Sequence, residues 1–404
     1  MRRRAFLAAA AAPLASRRVP AATRIEVGLE RVVGEEGAPL GGRRVGLLVH
    51  AASLTADGRH AIDALHRAGV DIARLFGPEH GLRGRAAAGE KVSGGFDAES
   101  GLPLVSLYGE KTTPAAEDLR GLDALVVDLQ DAGVRFYTYA STMLLALGAA
   151  ADAGVEFVVL DRPNPLGGER VEGPVRDPAM PESLVSMAPG PLVHGLTLGE
   201  MATIANSRRA KPGRVRVVPM RGWSRSMTWA DTGRLWVNPS PNLRSAEAAM
   251  AYPGTCLLEA TNVSEGRGTE APFLTVGAPW VDPEKLAREA ATLGFALEQT
   301  TFTPSGSAAA PEPKLAGQRC RGLRVKVTDR FSARPWTLGL RLLVALRRHR
   351  EFAWTTRGEW LDDLSGTRAV RAALERGESA GAIVGSEASA IELWRRERAP
   401  SLLY

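Results

Sequence analysis

Short apolar runs alternate with longer amphipathic stretches along the first half of the chain. Runs of strand length occupy residues 44–50, 73–76, 104–107, 124–129 and 156–160, and residues 58–68 and 138–153 between them have helical character. Apolar runs of this kind are what strands buried on both faces require, so the alternation predicts a parallel sheet with helices on each side. Residues 214–220 add a further strand, after a helix that opens at Thr197 with Glu200 three residues on, the spacing of a capping box.

Ligands in open α/β sheets gather beyond the carboxyl ends of the strands. Three polar clusters fall at such ends: GPEHGLRG at 77–84, DLQDAGVRFYTY at 128–139 and DRPNPLGG at 161–168. These loops are expected to converge on one cleft. Farther on, NPSPNLRS at 238–245 is a polar loop stiffened by two prolines, and the apolar stretch 252–261 empties into a charged, glycine-rich loop ending at Glu270.

The character changes near Pro272. A strand-like run at 273–276, a helix capped by Asp282 with Pro283 at its first position, a strand at 323–328 and helices at 338–348, 367–376 and 388–398 describe a smaller α+β unit, with 305–313 as a loop or hinge. The expected division is an export leader at 1–22, a Rossmann-like α/β domain at 23–250 and a C-terminal α+β domain at 251–404 that completes the cleft.

The leader rests on Arg2 to Arg4 followed by an apolar stretch from Ala5 to Ala15, and Arg3-Arg4-Ala5-Phe6-Leu7 resembles a twin-arginine signal. Periplasmic or secreted localisation is the corresponding expectation. No cysteine follows the apolar stretch, so no lipid anchor is expected after its removal. Five of the chain's six net positive charges lie in those 22 residues. The rest of the 404-residue chain is nearly neutral, and nucleic-acid binding has no support. With 45% hydrophobic and 24% charged residues the chain is expected to be globular. Cys256 and Cys320 are expected to be free thiols, since one possible bridge is not a disulfide framework.

Several familiar sites are missing: no G-x-S-x-G elbow, no P-loop, no H-E-x-x-H and no G-x-G-x-x-G after the first strand. No cofactor or metal is expected. The polar loops instead supply carboxylates (Glu79, Asp131, Asp161, Glu265, Glu270), arginines (Arg83, Arg135, Arg162, Arg267), tyrosines (Tyr137, Tyr139) and asparagines (Asn164, Asn242, Asn262). That set suits a polyhydroxylated, anionic substrate, with amides and carboxylates for hydroxyls, an aromatic face for a sugar ring and arginine for a carboxylate. Glycosidic cleavage needs an acid to protonate the leaving oxygen, and Glu79, after Phe76 and Pro78 and beside His80, is the first candidate. Plainer readings stand beside these. Asp131 and Arg135 can pair across a turn, Tyr137 and Tyr139 can be core residues, His194 can be a structural hydrogen-bonding group and Asn164 can fix its own loop. Two rival functions are a non-catalytic saccharide-binding protein and a metal-dependent hydrolase built on His80, Asp128 and Asp131.

Six motifs taken together, GPEHGLRG, DLQDAGVRFYTY, DRPNPLGG, NPSPNLRS, YPGTCLLEATNVSEGRGTE and the segment from Leu364 to Tyr404, resemble the exo-β-N-acetylmuramidase family of glycoside hydrolases over residues 27–404. The resemblance implies a Rossmann-like domain joined to a smaller C-terminal domain. It also implies release of N-acetylmuramic acid from the non-reducing end of peptidoglycan fragments during wall recycling, with the catalytic glutamate of the GPEHG motif at Glu79. The lactyl carboxylate of that sugar suits Arg83, Arg135 or Arg267. Asp131 or Glu270 could be the second catalytic group, or the substrate's own acetamido group could attack. Ala260 stands where a glycine is expected in the family, which matters only if the backbone there needs positive φ.

Overall fold

The computed structural model describes residues 24–35 and 38–404; the expected leader lies outside the described residues. The N-terminal part runs α1 (Gly28–Gly34), β1 (Arg44–Val49), α2 (Ala61–Arg67), β2 (Asp71–Gly77), β3 (Gly95–Phe96), β4 (Pro103–Ser106), α3 (Ala116–Leu119), β5 (Ala124–Asp128), α4 (Thr138–Asp152) and β6 (Glu156–Leu160). It continues through the hairpin β7 (Glu172–Val175) and β8 (Pro191–Val193) to α5 (Leu198–Ser207) and β9 (Val215–Val218). Seven strands form one sheet in the order β3-β4-β2-β1-β5-β6-β9, parallel throughout except for the short edge strand β3. The strand order reverses between β1 and β5, which puts the crevice of a doubly wound sheet beyond their carboxyl ends.

Why these segments form these strands is plain from burial. All five residues of β5 are buried, and β1 buries all but Arg44, because helices cover both faces. One apolar cluster on the sheet includes Leu47, Val126 and Leu160 packed with Ile25 and Leu29 of the N-terminal segment. The other holds Val127, Met143 and Phe157 and continues without a break into the C-terminal half through Leu257, Leu343 and Trp336. The capping box of α5 forms, with Thr197 Oγ1 accepting from the Glu200 N–H and Glu200 Oε2 accepting from the Thr197 N–H.

The C-terminal part comprises α6 (Ala246–Thr255), β10 (Thr275–Ala278), α7 (Pro283–Ala290), β11 (Phe295–Phe302), β12 (Cys320–Val327), α8 (Pro335–Leu346), α9 (Glu359–Ser365), α10 (Ala369–Glu375), α11 (Ala380–Ser386) and α12 (Ala388–Arg398). Its sheet is antiparallel, β10-β12-β11. Asp282 caps α7 by accepting from the Glu284 and Lys285 N–H groups, as its sequence predicts. Strand β11 carries a mixed polar pattern that hides it from a reading of apolar runs. The apolar stretch at 252–261 is the end of a helix and a 3₁₀ turn, with Pro253 inside α6. Ala260 is not among the positive-φ residues, so its methyl group meets no backbone penalty. Both cysteines are free and buried.

Candidate active site

The GPEHG stretch forms a tight turn at the end of β2. Gly81 N–H donates to the Pro78 carbonyl, and His80 takes φ +68°, the left-handed backbone that the third position of a type II turn requires. A non-glycine residue held there costs about 1–3 kcal/mol and persists only where its surroundings impose it. Here His80 Nδ1 lies 2.9 Å from the Ala86 carbonyl, and the Ala86 N–H returns to the His80 carbonyl at 3.2 Å. The turn projects Glu79 into a cleft of about 840 Å³.

Three donors hold the Glu79 carboxylate. Gly89 N–H donates to Oε1 at 2.9 Å, Thr138 Oγ1 donates to Oε2 at 2.7 Å, and the Tyr108 phenol is hydrogen-bonded to the same carboxylate. Burial and then the Glu79 charge push the Tyr108 phenol up to about 12, so it remains a donor at neutral pH. Below the turn, the buried Tyr139 hydroxyl lies 2.7 Å from the Pro239 carbonyl and 3.2 Å from that of Glu79, tying two loops together.

The cleft floor is aromatic. Phe136, Tyr137, Tyr252 and Phe273 line it, with Tyr252 edge-on to Phe273 at 4.6 Å and Tyr137 edge-on to Tyr139 at 4.8 Å. Asn242 Oδ1 is buried without a hydrogen-bond partner, so it can take one from a ligand. One wall is an ionic chain: Arg267 Nη1 lies 2.5 Å from Glu259 and 3.0 Å from Glu265, and Lys314 Nζ lies 2.8 Å from Glu265. Burial opposes ionisation of Glu265, but Lys314 and Arg267 outweigh it and hold the carboxyl below its usual range. The Arg267 guanidinium also stacks over Phe273 at 4.9 Å.

Of the residues singled out from sequence, Glu79, His80, Tyr137, Asn242, Glu265 and Arg267 come together in the cleft. The others do not line it, each for a visible reason. Arg83 is engaged by Asp97 and Glu99. Arg135 is fully buried and donates to the carbonyls of Pro174, Gly190 and Ser365, so it pairs neither with Asp131 nor with a ligand. Asp131 accepts from the Gly133 N–H at 2.7 Å and lies 3.3 Å from His194. Asn164 spans Leu196 and Leu166, and Asn262 pairs with the backbone of Glu351 and Ala353. Glu270 is exposed outside the cleft. The loop after β6 therefore misses the cleft that the other two polar loops reach. Asp128 of the metal-hydrolase reading is spent on a buried ion pair with Arg162, and among the described residues no group of three His, Cys, Asp or Glu side chains is placed to hold a metal ion.

Residues that the polar motifs did not indicate complete the site. Thr138 and Tyr108 hold Glu79, while Glu259, Lys314 and Trp360 come from the C-terminal half, as does the 305–313 loop through Ala309 to Pro313. Thr138 and Glu259 lie within motifs already marked, Thr138 one residue past the tyrosine taken as a sugar contact and Glu259 in YPGTCLLEATNVSEGRGTE.

Comparison with known proteins agrees with this architecture. Two crystal structures of DUF1343 family proteins from Bacteroides fragilis NCTC 9343 superpose with TM-scores of 0.84 and 0.76, at 31% and 30% identity, each covering 94% of this chain and 99% of the other. The peptidoglycan beta-N-acetylmuramidase NamZ of Bacillus subtilis (strain 168) is 35% identical over 98% of this chain and 95% of its own length. Residues 45–247 match the N-terminal and residues 250–404 the C-terminal model of exo-beta-N-acetylmuramidase NamZ. With both models matched in order and a relative of this identity along nearly the whole chain, the protein belongs to the exo-β-N-acetylmuramidase NamZ family.

Proposed function

We propose that this protein is a glycosidase, an exo-acting β-N-acetylmuramidase that releases N-acetylmuramic acid from the non-reducing end of peptidoglycan-derived saccharides in wall turnover. The observation that carries the reading is the Glu79 carboxyl, set by Gly89, Thr138 and Tyr108 at the edge of an aromatic-floored cleft large enough for a sugar. Glu79 protonates the glycosidic oxygen as the bond breaks. Tyr137 and Tyr252 form the platform for the pyranose ring, and Asn242 takes a hydroxyl or amide N–H.

For the second catalytic role the substrate's acetamido group is the better candidate. Glu259 and Glu265 are already ion-paired along the cleft wall, and Asp131 and Glu270 lie outside the lining. Attack by the acetamido oxygen forms a bicyclic intermediate that water opens with net retention. A product first seen by NMR in the inverted anomeric form would eliminate this route. Arg267, alone of the three arginines considered for the lactyl carboxylate, lines the cleft, and with Lys314 it supplies the cationic wall.

Export through the twin-arginine-like leader is part of the same proposal, supported by Arg3-Arg4-Ala5-Phe6-Leu7 and the apolar stretch behind it. Replacing Arg3 and Arg4 with lysine should abolish accumulation outside the cytoplasm; unchanged export would reject the route.

The direct test is turnover of para-nitrophenyl β-N-acetylmuraminide, with the β-N-acetylglucosaminide as control. Wild type should act on the muraminide only, and Glu79→Gln should lose about 100-fold or more. Saccharide binding without turnover by folded wild type would favour a binding protein instead.

A further inference from the structure

A second cavity of about 230 Å³ shares no lining residue with the cleft. Four arginines from separate parts of the chain reach it: Arg170 from the loop after β6, Arg225 from the loop after β9, Arg334 at the N-cap of α8 and Arg395 on α12. Only two carboxylates, Glu169 and Glu172, share its lining.

The four arginines divide by how they are held. Arg170 and Arg225 are fixed. Arg170 donates to the carbonyls of Leu166, Arg330 and Ala333, and Arg225 donates to Glu200 and to the carbonyls of Gly168 and Gly195. A side chain at Gly168 would strike the Arg225 guanidinium, its Cβ falling 2.8 Å from Cζ, so the missing side chain is what lets the guanidinium lie against the backbone. Arg334 and Arg395 are exposed and form no direct ion pair among the described residues; Arg334 donates to the Ala333 carbonyl at 3.1 Å and acts on the Glu172 carboxyl only through space. The positive end of the twelve-residue helix α8 faces the same place, with its Trp336 N–H taken by Glu172.

This crowding is felt by the groups themselves. Burial and then repulsion from Arg225 push the neighbouring Arg398 down to about 10, and burial followed by Arg334, against the pull of Glu172, holds Arg170 below its ordinary value. Four guanidiniums face two carboxylates in the lining, with Glu200 behind Arg225, which leaves one positive charge in excess. Fixed charge at the back and free, planar donors at the mouth match a compact anion with several acceptor oxygens.

We propose that this cavity is a binding site for a phosphate group, with Arg334 and Arg395 as its direct ligands and Arg170 and Arg225 as the fixed positive field behind them. The group can arrive as a terminal phosphate monoester or within a phosphodiester chain such as a wall polymer, and the two sources differ in the charge and oxygens they offer.

The test is calorimetric titration of the full chain at constant ionic strength with inorganic phosphate, then with glycerol 3-phosphate and with a glycerol phosphodiester. Wild type should show one saturable site for inorganic phosphate. The Arg334→Gln/Arg395→Gln variant, altered only at exposed positions, should bind at least about 10-fold more weakly while keeping muraminide turnover. Preference for glycerol 3-phosphate would assign a terminal phosphate; equal or tighter binding of the diester would assign a polymer chain. Absence of saturable binding, or wild-type affinity in the double variant, would overturn the proposal. Muraminide turnover reports on the cleft alone, so failure of either proposal leaves the other standing.

Discussion

Thr138 Oγ1 donates to Glu79 Oε2 across 2.7 Å, joining the turn after β2 to the first residue of α4. The bond crosses the point where the strand order reverses, so the sheet itself sets the position of the carboxyl. Thr138→Val should keep the fold and lower kcat on the muraminide by about 10-fold, the effect of one lost hydrogen bond to a charged group, and Thr138→Ser should restore most of it. Loss of turnover in Val and Ser variants alike would mean that packing, not the hydroxyl, is what matters.

Arg135 is predicted to act on stability rather than on substrate. Its guanidinium joins the hairpin β7–β8 to Ser365 in the C-terminal half, and Gly366, at φ +71°, leaves room for it. Arg135→Met strands three buried carbonyls at about 1–3 kcal/mol each. Urea unfolding should show at least about 3 kcal/mol of destabilisation at this lower bound. A changed KM with unchanged stability would return Arg135 to the substrate.

Tyr404 is a structural clamp. The Tyr404 hydroxyl donates to Asp161 Oδ2 at 2.7 Å and accepts from the Met220 N–H at 2.9 Å, while its ring stands edge-on to Trp223 at 5.0 Å. Tyr404→Phe keeps the ring and loses both bonds, one of them to a buried carboxyl. A loss of about 1–3 kcal/mol is expected in thermal or denaturant unfolding.

Glu387 gives a pH signature. Burial, and then the nearby Glu172 carboxyl, raise it to about 8, although the Trp336 Nε1–H donated to Oε2 opposes the shift. A carboxyl raised on folding binds its proton more tightly in the native state, so its contribution to stability falls as pH rises from the unfolded value near 4.5 to about 8. His50 and His60, whose pKa values burial lowers, work in the opposite direction below about 6.5, so the wild-type profile is a sum. The difference between wild type and Glu387→Gln reports Glu387 together with its effect on Glu172: the variant should gain relative stability between pH 5 and 8, and a parallel pair of profiles would reject the assignment.

On the proposed function, Arg267→Gln should weaken binding of the muraminide. It breaks the chain linking Glu259 and Glu265 and removes a cation from the cleft wall. A rise of about 10-fold or more in KM for the muraminide is expected, with the thermal unfolding midpoint unchanged. A matching loss of thermal stability would indicate collapse of the wall.

The order of the six parallel strands, the capping of α5 and α7, and the motif around Glu79 were legible in the sequence because each has a local cause. Strands buried on both faces must be apolar runs, caps need particular side chains at fixed offsets, and turns need particular backbone conformations. Strand β11 escaped because half-exposed antiparallel strands lack that continuous run, and β3 and the hairpin β7–β8 escaped because two to four residues are too short to show one. What lines the cleft was not legible. Arg135 and Arg267 are the same residue type in similar polar motifs, yet one spends its donors on carbonyls up to 230 residues away and the other faces Glu259 and Phe273. Lys314 and the loop before it, which carry no motif, close the same wall. Hydrogen-bond and ion-pair partners are chosen through space once the two halves dock, and nothing periodic in the chain encodes that choice.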